Sequence, residues 1–302
     1  MCLNSGNYVN LQKKIAIKMA QNSKIEWLAS PKKDGTFHQG HTANLWWGCT
    51  HVHEGCDNCY AETFSHRYHN DKEVGNKELW GVDAPRMAID SVWSNLMKWQ
   101  AIAHKAGEVH RVFVGSMMDI AEKSMPLVNR DKKPINVVDV MGTPMEGKTG
   151  SLRKKLFEQV IPNCPNLDFL LLSKRPSNYN KFTPDSWKAN PPKNVMFGTS
   201  IVNPETLKTL GRQLQEVNGR KFFSIEPQLA MIVPTDEQLA GIDWVIQGGE
   251  SGHGKRPFSL DWINPLREAC GRNDVAYFFK QIDKVQTVPD WALIRQFPSQ
   301  NF

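Results

Sequence analysis

Six short apolar runs recur along the chain, each trailed at once by polar residues and separated from the next by a longer stretch, and this rhythm restricts the fold more than any other feature. The runs cover residues 112–115, 169–172, 195–198, 222–225, 244–247 and 276–279. Segments so short, and so rich in β-branched and aromatic residues, have the pattern of parallel strands buried on both faces. The stretches between them, among them 90–104, 151–160, 204–215 and 260–270, are amphipathic. The order is therefore a β-α alternation, a parallel sheet with helices outside. With 45–47 as a first strand, about seven such units result. No glycine-rich dinucleotide fingerprint comes after that first strand, which favours an α/β fold of the (β/α) barrel kind, partial or closed, over a doubly wound sheet.

The 302 residues suit one large domain over 25–302, preceded by a polar leader over 1–24. Residues 129–150 are polar, rich in Lys, Pro and Gly, and without periodicity, which predicts a surface insertion able to act as a lid or substrate loop. The six cysteines are not spaced as a secreted disulfide framework, and no basic start with an apolar core and cleavage site opens the chain. A reducing cytoplasm is the expected setting. No apolar run approaches the ~20 residues that cross a bilayer, so no membrane insertion is expected. The net charge of +6 suits a polyanionic partner, and equally a solvated basic surface.

Three cysteines fall close together: Cys49, then Cys56 after a gap of six residues, then Cys59 after a gap of two, with Tyr60 next. Soft thiolates in such an array select iron-sulfur clusters, zinc or Cu(I). Three thiolates on a cluster normally held by four leave one iron open for reaction. The alternative is a single zinc ion completed by His51 or His53, which would only staple the loop; the gap of six is longer than the usual zinc spacing of about two to four. Cys164 and Cys270 lie in helix-like or loop contexts and read as inert packing residues.

Each predicted strand gives way to polar residues. Ser116 and Asp119 come after the first of the six runs, Ser173, Lys174 and Arg175 after the second, and Ser200 after the third; Glu226, then Gly248, Gly249 and Glu250, then Lys280 and Gln281 close the others. In a parallel barrel these positions share one rim, where loops build active sites. Singly, each reads as a helix cap or a structural ion pair. As a set they read as a site, with the Gly248-Gly249 turn offering backbone amides to a ligand. Trp46 and Trp47 beside the cysteine loop read mainly as core, although aromatics at a cavity also stack on bases.

The motifs Trp47-Gly48-Cys49, Cys56-Asp57-Asn58-Cys59-Tyr60-Ala61-Glu62, Leu172-Ser173-Lys174-Arg175-Pro176, Ser224-Ile225-Glu226-Pro227, the run from Trp244 through Glu250 to Gly252 and Phe278-Phe279-Lys280-Gln281 together resemble a phage-associated three-cysteine-motif family, a divergent branch of the radical S-adenosylmethionine enzymes. The likeness runs from about Lys24 to Lys280. It implies a four-iron, four-sulfur cluster on Cys49, Cys56 and Cys59, with the amino and carboxylate groups of S-adenosylmethionine on the open iron, and an external electron donor driving formation of a 5'-deoxyadenosyl radical. It further implies Tyr60 against the cluster and adenine, and Ser116, Asp119, Ser200, Gly248 and Gly249 around the cofactor. Glu226, Glu250 and Lys280 would stand nearer the reacting centre. Ser173, Lys174, Arg175 and Gln281 would face the substrate, with Arg256 on a phosphate. The first cysteine gap of six departs from the commonest radical S-adenosylmethionine pattern, in which it is three. The implied substrate is a modified base in DNA or in a nucleotide, an amino-acid-modified thymine that the enzyme isomerises, in the host cytoplasm if the chain is phage-encoded. A repair lyase with the same cofactors, and a zinc-stapled nucleic-acid-binding protein without turnover, stay open beside it.

Overall fold

Seven parallel strands, lying in space in the order they have in sequence, form the main sheet of the computed structural model, which describes residues 23–32, 34–67 and 76–300. They are β1 (His41–Ala43), β2 (His110–Val114), β3 (Leu167–Ser173), β4 (Val195–Ser200), β5 (Arg220–Ile225), β6 (Trp244–Gly248) and β7 (Ala276–Gln281). The order never reverses, as it would in a doubly wound sheet. β1 and β7 stand at the two edges without pairing to each other, so the sheet is a partial barrel. The expected leader lies outside the described residues save for its last two.

Alternation along each strand divides the apolar residues between two cores. Phe113, Leu170, Met196, Phe222, Trp244 and Phe278, one from each of β2 to β7, fill the concave side. Trp27, on the short 3-10 turn Glu26–Leu28, packs edge-on into this group, its ring 5.0 Å from Phe113 and 6.1 Å from Trp244. That turn touches both β2 and β7, and so bridges the opening that β1 and β7 leave. The intervening residues, Val112, Phe169, Leu171, Val195, Phe197 and Val245 among them, face the helices, where Cys164 and Cys270 are also buried. Gly198 is required by packing, because a Cβ there would lie 2.2 Å from the Phe222 ring.

The six apolar runs are β2 to β7. The first strand differs from expectation. Trp46–Trp47 pairs antiparallel with Arg86–Ala88 in a separate three-stranded sheet, while the sheet's own first strand is His41–Ala43. All three of its residues are buried, two of them polar by type, because both faces of the sheet edge are covered. Of the helices, α1 (Ser91–Ala106) ends at Gly107 in the left-handed conformation, φ 63°, with its amide on Ala103 and His104 carbonyls. The expected 151–160 and 204–215 segments each contain a π-helical turn, at Lys155–Val160 and Leu207–Gly211. Within the 129–150 insertion lies a small antiparallel hairpin of Val137–Val138 with Pro144–Met145.

The concave core yields a direct test. Phe222 has no exposed surface, so Phe222→Ala is expected to lower unfolding stability by about 3–5 kcal/mol, measured by equilibrium urea denaturation. A loss below about 1 kcal/mol would contradict the packing described.

Candidate active site at the carboxyl ends of the strands

The loop that carries the cysteines is held from beneath by a buried arginine. After Trp47 the chain turns at Gly48, φ +110°, where any Cβ would strike the Leu79 carbonyl oxygen at 2.2 Å. Gly48 then donates its amide to the Met117 carbonyl, and the Cys49 carbonyl accepts from the Gly81 amide at 3.0 Å. Arg86, with a side chain fully buried, forms a two-pronged pair with Glu122: Nε to Oε2 at 2.9 Å and a terminal nitrogen to Oε1 at 2.6 Å. Its remaining N–H groups donate to the Leu79, Ala84 and Gly81 carbonyls and to the Thr50 hydroxyl. A buried guanidinium is tolerated only when its donors are met in this way.

A second arginine grips the same residue from above. Arg175 donates to Asp119 Oδ2 at 2.6 Å and to the Thr50 carbonyl at 2.8 Å. Asp119 also accepts from the Ser173 hydroxyl, the Lys174 amide and the Ala121 amide. Thr50, next to Cys49, is thus fixed by both arginines. The far side of the loop is clamped by Glu250 and Arg256: Glu250 accepts from Asn58 Nδ2 at 2.9 Å and from three Arg256 nitrogens at 2.6 to 3.0 Å. Burial opposes ionisation of Glu250, but the bonds from Arg256 and Asn58 hold its carboxyl below the usual carboxylate range. Arg256 reaches on to the Glu54 carbonyl and to Asp57, and Asn203 donates to the Glu54 carboxylate. His53 caps the turn Glu54–Cys56 by accepting from the Gly55 amide, and burial lowers its pKa to about 4, which keeps that nitrogen an acceptor at neutral pH.

These clamps leave a cavity of about 600 Å³ over the carboxyl ends of the strands, within the range of about 300–1,000 Å³ that holds small ligands. Cys49, Cys56 and Cys59 all line it, as do Tyr60, Ser116, Ser200 and Glu226. Asn44 Nδ2 bonds the Ser116 hydroxyl at 2.7 Å, and the Tyr60 hydroxyl donates to the Ser116 carbonyl at 2.8 Å. Glu226 Oε1 accepts from Lys280 at 2.5 Å and more weakly from Gln281. Lys174 reaches only the Ser200 hydroxyl, at 3.4 Å, and forms no ion pair among the described residues.

Cys49, Cys56 and Cys59 all line the cavity, but among the described residues they do not form a group of ligand atoms mutually within 4.8 Å. Burial pushes the Cys49 thiol up to about 12, with Asp119 and Glu122 adding to the shift, and burial also raises Cys59. Thiols so placed become thiolates only when a bound metal supplies positive charge. Sulfur ligands on one tetrahedral zinc stand about 3.8 Å apart. Among the described residues, the one trio of His, Cys, Asp and Glu ligand atoms mutually within 4.8 Å is His38, His41 and His110, so neither His51 nor His53 completes a converged single-ion site with the cysteines.

Of the residues singled out in the sequence, Ser173, Lys174, Lys280, Gln281, Asp119 and Glu250 also line the cavity. Arg175 and Arg256 stand behind its wall, with their guanidinium groups committed to Asp119, Thr50, Glu250 and Glu54. Gly248 and Gly249 do not line it: the Gly249 amide donates to the Gln281 carbonyl, and a Cβ there would meet the Ile282 carbonyl oxygen at 2.0 Å. Sequence reasoning missed Thr50, Asn58, Arg86 and Glu122. The available signal was a charged residue inside an apolar stretch, Pro85-Arg86-Met87-Ala88, and another after Ile120-Ala121.

A family profile matches residues 22–146 and 148–291, described as a protein of unknown function (DUF5131). The chain belongs to that family. No curated protein and no solved structure matches it.

Glu122→Gln is expected to destabilise the fold by about 3–5 kcal/mol, because it leaves the Arg86 charge buried and unpaired. The double variant Arg86→Met with Glu122→Leu is expected to recover much of that loss in thermal or urea denaturation. Equal losses in both would show that the pair's charge balance is not what the site requires.

Proposed function

We propose that this protein is a radical S-adenosylmethionine enzyme that isomerises an amino-acid-modified thymine, in DNA or in a nucleotide. The observation that carries the reading is that Cys49, Cys56 and Cys59 share one cavity with a lysine that forms no ion pair among the described residues, and with hydroxyls and a carboxylate from several different strand ends. In this reading the three cysteines hold a four-iron, four-sulfur cluster, and Ser116, Ser200 and Tyr60 bind S-adenosylmethionine. When bound, these groups supply a radical able to take hydrogen from an unactivated carbon; the protein's part is to bind, orient and exclude water.

Lys174 is the natural partner for a carboxylate on the cofactor or on the amino-acid substituent, since no described side chain neutralises it. Glu226 is held on one oxygen by Lys280, while Oε2 has no hydrogen bond among the described residues and can accept from an ammonium group. The half-exposed ring of Tyr60 offers a stacking face for a base at the cavity mouth. Asp119, Arg175, Glu250 and Arg256 act at one remove, as positioning residues that hold the cysteine loop. A reducing cytoplasm and an external electron donor belong to the same proposal. No described helix is long and apolar enough to cross a membrane.

Anaerobic reconstitution with iron and sulfide, then incubation with S-adenosylmethionine, reductant and modified DNA, tests the proposal by mass spectrometry of the digested nucleosides. An isomer of unchanged mass is expected, and restoration of ordinary thymine would assign a repair lyase instead. Cys56→Ala is expected to lose the cluster's visible absorption. Lys174→Ala is expected to keep it and to weaken binding of S-adenosylmethionine or substrate about tenfold or more, as for loss of a charged hydrogen bond. Zinc without iron or sulfide in anaerobically purified protein would overturn the reading.

A further inference from the structure

Three imidazoles meet at the amino-terminal end of the sheet, away from the cysteine cavity. His41 opens β1, His110 opens β2, and His38 ends the two-residue strand Phe37–His38, which pairs with Ser30–Pro31. The length of β2 alone puts about 13 Å between His110 and the carboxyl end of that strand. His41 is 2% exposed and His110 1%, while His38 is half-buried.

One ring nitrogen from each histidine lies within 4.8 Å of the other two. His41 Nε2 and His110 Nδ1 are 3.4 Å apart. That is long for a hydrogen bond, usually about 2.7–3.2 Å, but it matches the edge of about 3.3 Å between two nitrogens at about 2.0–2.1 Å from a tetrahedral zinc ion. On its other side, His110 Nε2 faces Glu108 Oε2 at 3.0 Å, which places the proton on Nε2 and turns the Nδ1 lone pair toward His41. A carboxylate behind an imidazole in this way is the usual support of a metal-bound histidine.

Packing alone leaves this cluster unexplained. His41 stacks on Trp99 at 4.2 Å and His38 on His110 at 3.5 Å, yet His38 Nδ1 is buried with no hydrogen-bond partner among the described residues; His41 Nδ1 is likewise unpartnered, but an ion on His41 Nε2 would not meet it. Buried polar atoms are rarely left so without a ligand or water to meet them.

We infer that His38, His41 and His110 form a binding site for one divalent transition-metal ion of the zinc class, with water in the fourth position. His41 and His110 are already placed. The His38 ring, flat on His110 with only 8° between planes, must turn to aim its lone pair at the ion. His38 is the half-buried member of the three and ends a two-residue strand. The ion would tie the short edge strand β1 and the strand Phe37–His38 to β2, a structural role independent of the chemistry proposed for the cysteine cavity.

The test is titration of the metal-free, full-length chain with Co²⁺ and displacement by Zn²⁺. Expected is one equivalent of Co²⁺ whose d–d absorption comes without any added thiolate-to-cobalt charge-transfer intensity, together with a higher melting temperature. This equivalent is expected to persist when Cys49, Cys56 and Cys59 are all replaced by serine. Glu108→Gln is expected to weaken it about 10–100-fold, and His38→Ala, at a half-buried edge position that the core does not depend on, to abolish it. Binding that depends wholly on the cysteines, or that His38→Ala and Glu108→Gln leave unchanged, would overturn the inference.

Discussion

The buried pair of Arg86 and Glu122 is the constraint on which the cysteine loop depends. A guanidinium without exposed surface must find acceptors for its donors inside the protein, and Arg86 finds them in Glu122, in four backbone carbonyls and in the Thr50 hydroxyl. Satisfying one cation therefore ties three separate pieces of chain into one unit. Cys49 takes its place because its neighbour, Thr50, is one of those acceptors.

Asp119 repeats the device one layer higher. It collects the end of β3 through Ser173 and the Lys174 amide, and passes the constraint through Arg175 to the Thr50 carbonyl. Glu250 and Arg256 do the same for Glu54, Asp57 and Asn58 at the other side of the loop. Asp119 and Glu250 are thus consumed by arginines of the wall. The Lys174 ammonium stands apart from this arrangement and forms no ion pair among the described residues.

Much of the barrel was legible in the chain itself. Strands buried on both faces need unbroken apolar runs, so β2 to β7 stood out against amphipathic helices. β1 did not, because His41, Thr42 and Ala43 are buried by their neighbours rather than by their own hydrophobicity, whereas Trp46 and Trp47 look like a strand of the main sheet and serve a smaller one. At the site, the cysteines and the polar strand ends were legible as a set, since β-α alternation brings every strand's carboxyl end to one rim. Their division of labour was not. Arg175, Arg256, Asp119 and Glu250 have the same side-chain chemistry whether they face a ligand or one another.

By itself the amino-acid sequence determined the parallel β/α architecture, the rim on which chemistry would gather, and the three thiols as its most distinctive donors, because periodicity and residue type act locally. Only the tertiary structure decided which charges are spent on each other, that Gly249 packs against a carbonyl instead of offering its amide to the cavity, and that His110 joins His38 and His41 at the opposite end of the sheet. Pairing and convergence are properties of distances between elements, and those distances exist only once the sheet has assembled and buried its two cores.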